Sequence, residues 1–131
     1  MTELLMPTDA AQARDAVAWA AAEETPLEVV GGGSKRALGR PVRAGHRLDV
    51  SNLTGVTLYE PAELVMTARP GTPLAEIEAE IDKHDQQLAF EPPDLGPLLG
   101  GDAGTGTIGG VFACNLSGPR RIKAGAARDH F

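Results

Sequence analysis

The sequence predicts a mixed fold, α+β or α/β, on three observations. Short apolar runs of strand length alternate with stretches whose apolar residues recur at helical spacing. Glycine is frequent, 16 of 131 residues, and it clusters at 31–33 and 100–110 instead of spreading along the chain. An apolar share of 42% beside 23% charged residues is that of an ordinary globular protein, so the glycines serve a packed domain and not a low-complexity linker. Aromatic residues make up only 4%, which predicts a core of Val, Leu, Ile and Ala.

Each element follows from local signals. Residues 8–24 read as a helix: Thr8 and Asp9 follow Pro7 as cap candidates, alanines surround Val17 and Trp19, and Thr25-Pro26 ends it. Leu27–Val30 is a short strand that runs directly into Gly31-Gly32-Gly33. Residues 34–45 are irregular and basic, with Lys35, Arg36, Arg40 and Arg43, and Leu48–Ser51 reads as the next strand. Gly55–Tyr59 and Leu64–Ala68 are strands joined by Glu60-Pro61-Ala62-Glu63. Thr72 is expected to cap a second helix with Pro73 at its first position, where a missing amide costs nothing. Leu74, Ile77 and Ile81 share one face of that helix, Glu76, Glu78 and Glu80 line its solvated face, and it ends near Lys83-His84-Asp85. Gln87–Phe90 reads as a short strand, and residues 91–106 as a proline- and glycine-rich connection. Thr107–Leu116 begins a helix or helical turn. The chain then stops at Arg128-Asp129-His130-Phe131 without a closing element, which predicts a cut inside a domain.

Composition narrows the partners. A net charge of −6, from 12 basic and 18 acidic side chains, argues against nucleic acid or an anionic membrane surface as a general partner. A phosphate held by backbone amides needs no such excess of cations. No stretch approaches the roughly 20 apolar residues of a membrane span, and a cytoplasmic location is the expectation. Cys114 is the single cysteine, so neither an intrachain disulfide nor a cysteine metal cluster can form, and it is expected to be a buried, inert thiol. His46, His84 and His130 have no neighbours at metal-ligand spacing, which leaves solvated or structural roles.

Two segments could carry chemistry. In Gly31-Gly32-Gly33-Ser34-Lys35 the main chain can take up conformations closed to other residues, and its consecutive amides can converge on an anion. A tight turn after a strand would use the same residues. In Thr107-Ile108-Gly109-Gly110, paired glycines at a helix start leave outward-pointing amides clear for a phosphate or a flat ring, with Asn115 and Ser117 as fixed polar groups. Close helix packing through small residues is the competing explanation. Gly104-Thr105-Gly106-Thr107-Ile108-Gly109 also fits G-x-G-x-x-G, with Asp129 twenty residues on, but Pro97–Ala103 upstream contains no strand. The dinucleotide fingerprint requires one, so this lone match is a weak basis for a Rossmann reading.

Taken together, the strand with its GGGS loop, LDVSNL at 48–53, ARPGTPLAEIEAEI at 68–81, TIGGVFACNLSG at 107–118 and AGAARD at 124–129 resemble the FAD-binding domain of the vanillyl-alcohol oxidase/p-cresol methylhydroxylase (PCMH) family. Within that family, EPPD at 91–94 and NLSGPRR at 115–121 are most similar to the FAD-binding subunits of glycolate-type 2-hydroxy-acid oxidases. The resemblance implies an α+β fold of two small subdomains, about 1–50 and 51–131, truncated at the C-terminus. It implies FAD as cofactor, with Gly31, Gly32, Gly33, Ser34 and Lys35 as the first pyrophosphate loop. Thr107, Ile108, Gly109, Gly110, Asn115, Ser117 and Gly118 would form the second contact run, joined by Gly125, Asp129 and, as a weaker contact, Pro92. Ser34 stands where members with tethered flavin place a histidine after the glycines, which implies non-covalent FAD. The resemblance also implies a second flavoprotein subunit and an iron–sulfur subunit as partners, and no catalytic acid or base is assigned. The alternative is a non-catalytic interaction module that no longer binds FAD.

Overall fold

The computed structural model describes residues 3–131. Strand β1 (Glu3–Leu5), helix α1 (Ala10–Ala22) and strands β2 (Leu27–Val30) and β3 (His46–Asp49) form the first layer. The three strands are all parallel, in the order β1-β3-β2, with Leu48 of the central strand opposite Leu5 on one side and Val29 on the other. Leu48 is buried, as is Ala20 of α1. The sequence reading missed β1.

The helix is shorter than residues 8–24. Asp9, with extended backbone, accepts a hydrogen bond from the Gln12 amide at 2.8 Å and sets the start one residue after itself. Glu24 takes a left-handed conformation and the Thr25 amide donates to Ala20 O, so the helix closes before Thr25-Pro26. β3 begins two residues earlier than Leu48–Ser51, because pairing with both neighbours starts at His46. The Asp49 carboxylate then accepts the Ser51 amide and turns the chain out of the sheet.

β4 (Val56–Glu60) and β5 (Val65–Ala68) make an antiparallel pair, joined by a 3-10 turn at Pro61–Glu63. Leu64, read as strand, occupies the left-handed position that closes this turn. Helix α2 (Leu74–Asp82) buries Ile77 and Ile81, as its period predicts. Thr72 is not its cap. The residue is fully buried, and its hydroxyl donates to Arg69 O at 2.7 Å and accepts from the Gly55 amide at 2.9 Å. It therefore ties the start of β4 to the turn before α2, and Pro73 occupies the cap position without a side-chain bond.

Gln87–Phe90 is not a strand. The Gln86 amide bonds back to Ile81 O, Glu91 is left-handed, and the segment drops Phe90 into the core. That core contains Phe90, Val111 and Ala127, flanked by Leu74, Leu88, Phe112 and Leu116. Contrary to expectation it is partly aromatic: Phe90 and Phe112 lie 5.9 Å apart, and Phe112 and Phe131 4.9 Å. A 3-10 turn at Pro97–Leu99, helix α3 (Ile108–Ala113), the short helix α4 (Arg121–Ala124) and a 3-10 turn at Ala127–His130 complete the described chain. No helix of the described residues is long and apolar enough to cross a membrane.

Candidate functional site

The first glycine segment leaves β2 as an irregular turn. Gly33 has φ +74°, a region that side-chain-bearing residues rarely occupy, and its carbonyl accepts the Arg36 amide. Arg36 is anchored in turn. Its guanidinium donates to both carboxylate oxygens of Glu28 on β2, and Arg47 of β3 adds a third bond at 2.9 Å. These hydrogen bonds, from Arg36 first and Arg47 second, hold the Glu28 carboxyl below its ordinary pKa.

The second segment starts α3. Thr107 is its N-cap and accepts the Gly110 amide at 3.3 Å. The Ile108 amide donates to Thr72 O at 3.0 Å and the Gly109 amide to Pro70 O at 2.9 Å. This corrects the expectation of outward amides at Gly109 and Gly110: the 70–73 turn on which α3 docks takes the first, and the Thr107 cap takes the second. A Cβ on Gly109 would lie 2.7 Å from Pro70 O and 2.8 Å from Pro70 Cβ, so packing alone requires that glycine.

The two segments meet. A Cβ on Gly32 would stand 1.6 Å from Thr105 O, and one on Gly31 2.7 Å from the Thr107 hydroxyl. On the same junction a Cβ on Gly106 would lie 3.9 Å from Ser34 Oγ, and one on Gly110 3.2 Å from Lys35 Nζ. Lys35 Nζ donates to Ser34 Oγ at 3.2 Å. The amides of Gly32, Gly33, Ser34 and Lys35, and those of Thr105, Gly106 and Thr107, find no acceptor among the described residues. Unpaired amides from two chain segments, a hydroxyl and an ammonium thus surround one junction. That donor set suits an anion such as a diphosphate.

The remaining candidates lie elsewhere, around the Phe90–Val111–Ala127 core. Asn115 is left-handed, and its side-chain oxygen accepts the Arg128 amide at 3.0 Å. Asp129 accepts the Ala126 amide at 2.8 Å, and Gly125, at φ +79°, leaves room for that carboxylate. Gly118 backs onto Glu91, where a Cβ would come within 2.6 Å of the carbonyl oxygen. Ser117 is half-buried nearby in sequence. Pro92 and Gly118 line a cavity of about 680 Å³ beside the end of α2. A second, mostly apolar cavity of about 980 Å³ runs between the β4–β5 pair, α2 and α3, and Ile108 and Gly109 are the junction residues that reach it.

Sequence reasoning missed Pro70, Asp94 and Thr105 and misassigned Thr72: the Pro70 and Thr72 carbonyls accept the Gly109 and Ile108 amides, the Asp94 carboxylate accepts Gly96 and Gly104, and the Thr105 carbonyl packs on Gly32. Only Asp94-x-Gly96 carries a signal, that of a side chain turning its own backbone. Cys114 is exposed and not buried, because α3 buries Ile108 and Val111 and ends at Ala113. The histidines take structural contacts. His46 pairs with Glu3 and packs edge-on against Trp19, His84 packs against Tyr59, and His130 bonds Ala124 O. Among the described residues no group of His, Cys, Asp and Glu could hold a metal ion.

Comparison with known proteins decides the family. The sequence profile of the FAD binding domain matches residues 2–131. The chain belongs to that family. It is 46% identical over 110 residues to the glycolate oxidase subunit GlcE of Escherichia coli (strain K12), a match covering 84% of this chain and 29% of GlcE. The chain thus spans under a third of that relative's length. In fold it is similar to alkyldihydroxyacetonephosphate synthase, with a TM-score of 0.73 at 20% identity over 96% of this chain and 23% of that one. It is also similar to a variant of Phl p 4, a glucose oxidase, with a TM-score of 0.71 at 22% identity over 96% and 25%. The α+β fold is therefore that of the PCMH-type FAD-binding domain.

Proposed function

We propose that this chain is the FAD-holding part of a flavin-dependent 2-hydroxy-acid oxidoreductase subunit of the glycolate type. FAD sits non-covalently, with its diphosphate at the junction of Gly31–Lys35 and Thr105–Gly110. One observation carries the reading: the two glycine segments, 74 residues apart at Gly32 and Gly106, pack against each other and leave unpaired amides and the Lys35 ammonium around the contact. The likeness to GlcE supports the substrate class. FAD, when bound, supplies a flavin ring that accepts a hydride or its equivalent, while the chain's residues bind and orient it.

Asn115, Ser117, Gly118, Gly125, Asp129 and, more weakly, Pro92 remain FAD contacts in the proposal; Asn115 and Asp129 also fix backbone beside the core that carries α3, through the Arg128 and Ala126 amides. GlcE is one subunit of an oxidase, which supports partner polypeptides for this chain. In the proposal these are a second flavoprotein subunit and an iron–sulfur subunit. The test is direct. The purified chain is titrated with FAD, and binding is followed by quenching of flavin fluorescence. Saturable one-to-one quenching, lost on adding excess ADP, supports the diphosphate site. A chain that is folded by circular dichroism yet leaves flavin fluorescence unchanged would favour the interaction module instead.

A further inference from the structure

The connection 91–106 leads from α2 to α3, and one side chain organises it. Asp94 Oδ1 accepts the Gly96 amide at 3.0 Å and Oδ2 accepts the Gly104 amide at 2.8 Å. A single carboxylate thus closes an eleven-position span, from residue 94 to residue 104. The span is compact inside. The Gly101 amide donates to Gly96 O at 2.8 Å, Thr105 Oγ1 donates to Asp102 O at 3.0 Å, and a Cβ on Gly96 would lie 2.1 Å from Asp102 O. Gly104 has φ +73°, so its amide is aimed by a backbone that another residue would not adopt easily.

One residue beyond this clamp lies Thr105, whose carbonyl is the surface on which Gly32 rests. The position of the second segment against the first is therefore set one peptide away from the Asp94 carboxylate. The hydrogen bonds from Gly104, then Gly96, hold its pKa below the ordinary value, and the Lys35 charge acts in the same direction. Lys35 itself belongs to the first segment, so the carboxylate addresses both.

We infer that Asp94 is a positioning residue for the FAD site: by clamping Gly96 and Gly104 it sets Thr105 against Gly32 and so fixes the spacing of the two glycine segments. This rests on the FAD reading above. Asp94 makes no contact with the cofactor in this scheme; it acts through Thr105.

The experiment compares the full chain with Asp94→Ala, Asp94→Asn and, as a control, Asp15→Ala on exposed α1. FAD Kd comes from fluorescence quenching, and amide exchange at Gly104 and Thr105 comes from NMR without FAD. Asp94→Ala is expected to raise Kd about tenfold and to speed exchange at Gly104, since both charge-assisted bonds vanish. Asp94→Asn, which keeps one amide acceptor, is expected to recover part of that loss. The control should match the parent in both. Parent-like FAD affinity in Asp94→Ala, with exchange at Gly104 accelerated, would overturn the inference while leaving the FAD reading intact. Absent FAD binding in the parent, with Gly104 still protected by Asp94, would overturn the FAD reading and the cofactor role of the clamp with it. If Asp94→Ala does not fold, an Asp94→Asn variant with parent Kd and parent Gly104 exchange overturns the clamp by itself.

Discussion

The two glycine segments read alike in sequence and do different things in space. In Gly31–Lys35 the absent side chains make room for the other segment, and the amides from Gly32 to Lys35 stay unpaired among the described residues. In Thr107–Gly110 the amides of Ile108, Gly109 and Gly110 are already spent on Thr72, Pro70 and Thr107, and Gly109 exists to let α3 lie on Pro70. The first is a surface that offers donors. The second is mainly a joint, and its unpaired donors lie just before the glycines, at Thr105–Thr107. Glycine density therefore marks close approach but does not say what approaches.

Substitution at Gly32 gives the strongest test of that contrast. A Cβ there would overlap Thr105 O, a backbone atom that cannot swing aside, so Gly32→Ala must push the segments apart. Overpacking of this kind costs about 1–3 kcal/mol, and a loss of FAD affinity of about 10- to 100-fold is expected by fluorescence titration. Unchanged affinity would show that the cofactor does not depend on this contact.

Gly109→Ala should separate joint from surface. Its Cβ would strike Pro70 in both backbone and ring, and overpacking of this kind costs about 1–3 kcal/mol. The expected outcome is a lower Tm, with FAD affinity following only as far as the fold loosens. Gly110→Ala should do the reverse. The nearest atom is the far end of Lys35, which can move, and alanine favours a helix over glycine by about 0.8–1 kcal/mol. Thermal stability should hold or rise while FAD affinity falls several-fold, because the ammonium is displaced from the junction. A drop in Tm with affinity intact would exchange the roles assigned to the two glycines.

How much of this is legible in the sequence follows the same line. Local signals sufficed where one element decides its own shape: Leu74, Ile77 and Ile81 placed α2, and Val29-Val30 before three glycines placed the end of β2. They failed where a residue answers to a distant partner. A threonine before Pro73 looks like a cap, yet Thr72 is a buried strut to Gly55, and nothing in its neighbours tells the two apart. Gln87–Phe90 has strand-like apolar content because Phe90 anchors a core, not because a sheet needs it. The junction itself was half legible. Its glycines stood out, whereas the acceptors that consume the Gly109 amide and the carbonyl that meets Gly32 belong to Pro70 and Thr105, and neither residue type signals that role.

Charge provides a gentler test. Lys35→Met keeps most of the apolar stem and removes the ammonium beside Ser34 and Gly110. FAD affinity should fall about tenfold at low salt, and the deficit should shrink as salt rises, since screening weakens the same interaction in the parent. Melting temperature should stay close to the parent value, because no buried contact is lost.

The smallest expected effect concerns how the two segments are held. The first is pinned through Arg36 and Arg47 to Glu28, whereas the start of α3 is pinned by neutral backbone bonds to Thr72 and Pro70. Glu28 has its pKa lowered in the folded chain, so it binds a proton less readily there than when unfolded. Its contribution is therefore full above the unfolded carboxyl value and disappears as pH falls through the lower folded one. Acid should thus lower the protection of the Arg36 amide, whose N–H bonds Gly33 O, relative to its intrinsic exchange at the same pH, before it lowers that of Ile108 or Gly109. Glu28→Gln should show that loss of protection already at neutral pH and little further change on acidification. Equal loss of protection at Arg36 and Gly109, persisting in Asp94→Asn, would mean that both segments share one anchor, and the distinction between donor surface and joint would lose its physical basis.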